Sequence, residues 1–142
     1  MKHLLALCVA LVVLMSPSVK AQEEVHRFIH ATFEQTEQEL LAGLQDTRPE
    51  ILTSVALTVR DLKQLYPERS FSVFVIPLMR IVKDESGDET SRITAAIALN
   101  ELRSAMGDFA ISRTAQFTGS ERVKRIYSWI AHNRHAETRT GL

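Results

Sequence analysis

The sequence predicts an all-α protein, and three observations carry that prediction. Gly and Pro are scarce, five and four in 142 residues, while the strong helix formers Ala, Leu, Glu, Arg and Gln are abundant. Apolar residues recur at spacings of three and four along most of the chain, and the alternation that marks a strand is nearly absent. An apolar pattern is also written twice. "PEILTSVALTVR" (49–60) and "SRITAAIALNEL" (91–102) superpose with Ile51 over Ile93, Val55 over Ile97, Ala56 over Ala98 and Leu57 over Leu99. A repeat of about forty residues predicts stacked helix hairpins, because one hairpin cannot bury its own apolar face and a neighbour can.

The chain opens with "MKHLLALCVALVVLMSPSVKAQEE". Lys2, the apolar run Leu4–Met15, the break at Ser16-Pro17 and the small residues Val19 and Ala21 have the order of a secretory signal peptide, cut near Ala21. Twelve apolar residues rise only about 18 Å as a helix, short of a hydrocarbon core of roughly 30 Å, so no permanent membrane span is expected. The alternative is an uncleaved tether. Localisation is thus expected to be exported, periplasmic or secreted. Cys8, the only cysteine, lies inside this leader. The processed chain would hold no disulfide, thiol nucleophile or thiolate metal site, and must rely on its core. The domain reading is signal peptide 1–21, helical domain 22–135 and a fraying tail 136–142.

The elements follow in order. Val25, Phe28, Ile29, Phe33, Leu40, Leu41 and Leu44 give a first helix that Gly43 and "QDTRP" stop. A second begins at Thr47, which has capping-box spacing to Glu50 with Pro49 in the first turn, and ends before Pro67. "SFSVFVIPLMRIVKD" (70–84) has strand-like composition but no partner strand. It reads as a helix capped by Ser70, kinked at Pro77, apolar nearly all round and therefore central. The next helix spans Glu89–Met106, closed by Gly107. A short helix starts at Asp108, and a last one follows Thr118 and Glu121, again at capping-box spacing. Leu57, Ile97, Leu99 and Ile126 are expected in the core.

One stretch is more specific. "VIPLMRIVKDESGDETSRITAAIALNEL" resembles a HEAT-repeat unit, with Pro77, Asp84, Arg92, Ile93, Ala95, Ala96 and Leu99 at the positions of the kinked first helix, the turn and the second helix. "LLAGLQDTRPEILTSVALTVRDL" is a weaker copy, with Asp46 at the turn and Glu50 where the Arg would stand. Arg122-Val123 marks a third. The resemblance covers residues 38–132 and implies a short right-handed stack of antiparallel hairpins, about two and a half to three units, that presents a curved surface to another protein. A compact helical bundle unrelated to that family is the other reading.

The chemistry is sparse. His26/His30 and His132/His135 have spacings that place two imidazoles on one helix face, but neither pair has the intervening Glu of a zinc-protease helix. "DESGDE" does not match a calcium loop. No G-x-S-x-G and no glycine-rich phosphate loop occurs. No catalytic residue, metal site or cofactor is therefore assigned, and the chain is read as a non-enzyme.

Net charge is zero, but residues 22–90 hold seven Lys/Arg against thirteen Asp/Glu, and 91–142 hold eight against four. That asymmetry predicts either an oriented partner or head-to-tail self-association. The expected contact residues are Arg92, Arg103, Arg122, Lys124, Arg125, Trp129 and Arg134, with an unidentified protein as partner. Export argues against nucleic acid. The expectation is an exported, non-catalytic interaction scaffold; the alternative is a small ligand- or metal-binding helical protein.

Overall fold

The computed structural model describes the backbone of residues 19–140 and the side chains of Arg27 and residues 31–134. The expected leader, up to residue 18, lies outside the described residues. Among those described there are six α-helices, one 3-10 turn and no strand. They are α1 (Val19–Gly43), α2 (Pro49–Leu65), the 3-10 turn (Ser72–Phe74), α3 (Val75–Lys83), α4 (Glu89–Glu101), α5 (Ala105–Phe117) and α6 (Glu121–Thr140). α1 runs through Ala21, and α6 continues to Thr140, past the point where a fraying tail was expected. Among the described residues no helix is long and apolar enough to cross a membrane.

The chain forms two compact units, residues 1–38 and 39–142. The first is described only through the leading part of α1, where the Thr36 hydroxyl donates to the Thr32 carbonyl at 2.9 Å. The second unit contains the end of α1 and everything after it.

Within the second unit, α4 packs against α2, α3, α5 and α6; α3 also packs on α5, and α5 on α6. The two copies of the apolar pattern are α2 and α4. Their first residues meet, for the Ser91 hydroxyl donates to the Pro49 carbonyl at 3.0 Å. Their last turns meet as well, where the Gln64 amide donates to Glu101 at 3.3 Å. The two helices therefore run in the same direction. A bond from the Ser120 hydroxyl to Glu89 similarly joins the starts of α6 and α4. α3 and α5 are the return segments.

The central element is α4, not the 70–83 stretch. From Ser91 to Leu99 every residue of α4 except Ile97 is buried. Its small side chains, Ala95, Ala96 and Ala98, let neighbours approach on several sides. α3 buries one face, Val75, Leu78, Ile81 and Val82, and leaves Ile76 59% exposed. Ile97 is 37% exposed and so is not core, whereas Leu99 is fully buried and Leu57 and Ile126 are half-buried. Apolar periodicity identifies a face; it does not say how wide a sector the neighbours will cover.

Several boundaries differ from the sequence reading because other groups do the capping. Thr47 does not cap α2: the N-cap is Arg48, without a side-chain bond. The turn is held instead by Asp46, which accepts from the Arg48 main-chain N–H at 2.9 Å and from its guanidinium at 2.7 Å. Ser70 does not cap α3: its hydroxyl accepts the Ser72 N–H at 3.5 Å at the start of the 3-10 turn, which leads directly into α3, where Pro77 sits in the first turn and its missing N–H costs no bond. α4 stops at Glu101, not Met106. Arg103 adopts φ 54°, the left-handed conformation that ends helices, and the Ser104 hydroxyl accepts the Gly107 N–H at 2.9 Å to start α5. Gly107 is thus inside α5 and buried. A Cβ there would stand 2.8 Å from Leu99 Cγ, so its role is close approach of α5 to α4. α6 is capped by Ser120, which accepts the Val123 N–H at 3.2 Å, not by Thr118.

Candidate interaction surface and pocket

The seven expected contact residues do not form one site. Arg92 is a correction: it is 2% exposed and cannot touch a partner. Its Nη2 donates to Glu85 Oε1 at 2.7 Å and to Thr118 Oγ1 at 3.2 Å. The Thr118 hydroxyl donates to Glu85 Oε2 at 3.0 Å, and the Gly119 N–H reaches the same oxygen at 3.3 Å. Two loops, one between α3 and α4 and one between α5 and α6, are thereby clasped through a single arginine. Partial burial pushes the Glu85 carboxyl up, but the Thr118 hydroxyl, the Gly119 amide and the Arg92 charge outweigh it and hold it below its ordinary value. The acids of "DESGDE" are similarly occupied: Asp84 accepts from Ser86 at 3.0 Å, and Asp88 caps α4 by accepting the Ser91 N–H at 2.8 Å.

The other six residues fall into four groups. Arg122, Arg125 and Trp129 recur at three and four on α6 and are exposed, Trp129 by 65%. Lys124 is exposed on another side of α6, 3.8 Å from Glu121. Arg103 is exposed in the α4–α5 link. Arg134 is largely buried, with Nε 3.4 Å from Asp108 Oδ2.

A second surface escaped the sequence reading. Met106, Phe109, Arg113 and Phe117 share one exposed stripe of α5, and the Arg113 guanidinium lies 4.3 Å from the Phe117 ring centroid. Ala110, Ile111, Thr114 and Ala115 bury the opposite side. The signal was present: α5 carries apolar residues around more of its circumference than one neighbour covers.

A pocket of about 350 Å³ opens where the end of α4, the start of α5 and the later turns of α6 converge. Phe109, Ile111 and Ile130 give it apolar walls, and Asn100 and Ser112 add neutral polar groups. The Asp108–Arg134 pair also borders it. Asn100 Oδ1 is buried without a hydrogen-bond partner.

The chain matches no protein-family model, no curated protein and no solved structure.

The histidines bring no metal cluster into view. His132 is exposed, and the side chains of His26, His30 and His135 lie outside the described residues. Among the described residues no group of three His, Cys, Asp or Glu converges.

Proposed function

We propose that this protein is an exported, non-catalytic helical-repeat scaffold that binds an acidic protein surface through α6. The observation that carries the reading is the exposed Arg122–Arg125–Trp129 stripe. An indole and two guanidiniums on one rigid helix face combine a large contact area with a fixed positive charge. The architecture supports the scaffold part. α2, α4 and α6 form a row of same-direction helices, returned by α3 and α5, which is the arrangement that the repeated apolar pattern and the resemblance to HEAT units lead one to expect. The order of Lys2, Leu4–Met15 and Ala21 supports export.

Affinity capture from the native envelope fraction tests the binding surface. The triple variant Arg122→Ala, Lys124→Ala, Arg125→Ala and the single variant Trp129→Ala should each lose a salt-sensitive partner while melting within a degree or two of the parent. Capture that is unchanged in both rejects the surface. Mass determination of the exported chain tests export, with a new N-terminus at Gln22 as the expected result. Light scattering at low and high salt tests whether the partner is a second copy, since screening would dissolve a head-to-tail charge pairing.

A further inference from the structure

The exposed stripe of α5 has a neighbour on α3. The two helices pack on each other, and both pack on α4. Each buries one face and leaves the opposite face open, so the two open faces lie together on one side of the molecule. Large apolar side chains stand there: Ile76 on α3, and Met106, Phe109 and Phe117 on α5, with Phe109 69% and Phe117 67% exposed. Three exposed cations, Arg80, Lys83 and Arg113, stand among them. Among the described residues none of the three pairs with a carboxylate. The acids that border these faces are already engaged, Asp84 by the Ser86 hydroxyl and Asp108 by Arg134.

An open apolar surface marks a docking site, and its charge says for what. Apolar side chains interleaved with cations match the boundary of a bilayer, where phosphate groups overlie acyl chains. Arg113 has the posture that this boundary needs. Its guanidinium lies 4.3 Å from the Phe117 ring centroid, so the charge can stay at headgroup depth while the ring goes deeper. A protein partner would need acids and apolar hollows in matching register; a fluid lipid surface needs none. We infer that the outer face of α3 and α5 rests on an anionic phospholipid surface. Phe109 and Phe117 enter among the upper acyl carbons, and Arg80, Lys83 and Arg113 meet the phosphates. The helices lie on the bilayer; among the described residues none is long and apolar enough to cross it. This inference does not rest on the α6 reading.

Gln116 is exposed on the same side of α5, and Ser128 is exposed on α6. A polarity-sensitive fluorophore is attached at Gln116→Cys or, as the control, at Ser128→Cys, each in the full chain with Cys8→Ser. The probes are vesicles of phosphatidylcholine alone or mixed with phosphatidylglycerol. The mixed vesicles should shift the emission of the Gln116 label to the blue and leave the Ser128 label at its aqueous emission. Binding to pure phosphatidylcholine should be weaker by roughly a hundredfold, about fivefold for each of the three cations. Arg113→Ala should weaken binding about fivefold, and Phe109→Ser with Phe117→Ser by at least about tenfold. These side chains are exposed, so the variants should keep their helical signal. Trp129→Ala, which should lose the α6 partner, should bind vesicles like the parent. No shift, equal shifts at both labels, equal binding to both vesicle types, or binding that survives loss of both rings would each overturn the assignment. A lipid-free dimer that dissolves when both rings are replaced would overturn it too, by giving the face to a second copy.

Discussion

The Tyr127 hydroxyl donates to the main-chain carbonyl of Arg92 at 2.9 Å, inside the contact between α6 and α4. The same hydroxyl stands 3.3 Å from the Val82 carbonyl on α3, so one phenol ties three helices together. Tyr127 is fully buried. Tyr127→Phe keeps the ring and loses the bond. It should cost about 1 kcal/mol in urea unfolding, with a melting temperature lower by roughly 3–6 °C. Burial, aided by the Glu85 charge and opposed by Arg92, raises the phenol well above its ordinary range. A raised acid contributes stability below the unfolded value, about pH 10, and loses it as pH rises further. The Phe variant should lack that share of the alkaline loss.

Arg92 is a structural group and should behave as one. Arg92→Ala leaves a cavity under the two clasped loops and should destabilise by about 3 kcal/mol. Arg92→Met fills much of that space without a buried charge, and its Nε has no partner to lose; it should lie closer to the parent than the Ala variant. At temperatures where both are folded, neither should alter partner capture.

Acid should loosen the clasp. Glu85 has a folded-state value below its unfolded one, so its contribution is complete above about pH 5 and is lost as pH falls through and below roughly 4. Asp46 and Asp84 are also lowered, by bonds with Arg48 and with Ser86 respectively. The difference between parent and Glu85→Gln isolates the Glu85 share: the two melting curves should converge as pH falls from 6 to 3. A gap that stays constant over that range contradicts the assignment.

Gly107→Ala should destabilise by about 1–3 kcal/mol through overpacking, since the new Cβ meets Leu99 and the Ser104 hydroxyl, both under 3.0 Å. Gly119→Ala is the control. Nothing stands within 4 Å of its Cβ position, and the change should stay within about 0.5 kcal/mol.

Arg103→Gly should be neutral or stabilising by up to about 1 kcal/mol, because φ 54° suits glycine and strains arginine. If Arg103 contributes to partner binding, the same variant should weaken capture while melting no lower than the parent.

The all-helical character was legible in the sequence because helix propensity and three-to-four spacing are local properties. The doubled pattern at Ile51–Leu57 and Ile93–Leu99 was legible too, and its two copies are α2 and α4, which pack on each other. Helix ends were less so. Thr47, Thr118 and Ser70 all have capping chemistry, yet the caps are Ser104, Ser120 and Asp88. Which hydroxyl or carboxylate faces an N–H depends on how the loop is held. Thr118, for example, is taken by Glu85 and Arg92. The α6 stripe of Arg122, Arg125 and Trp129 could be read from helical spacing alone. The α5 stripe and the Asn100 pocket could not, because each depends on which side of a helix its neighbours leave uncovered.

The sequence by itself determined the helices, the face that each must hide and the uneven distribution of charge, since all three are set by residues a few positions apart. Only the tertiary structure decided that α4 is the hub, that Arg92 is an interior clasp, that Ile97 stays partly wet and that Asn100 Oδ1 is buried without a partner. Those outcomes depend on contacts between residues as far apart as Pro49 and Ser91 or Glu85 and Thr118. No local spacing encodes such distances; they emerge when several apolar faces compete for a limited amount of shelter from water.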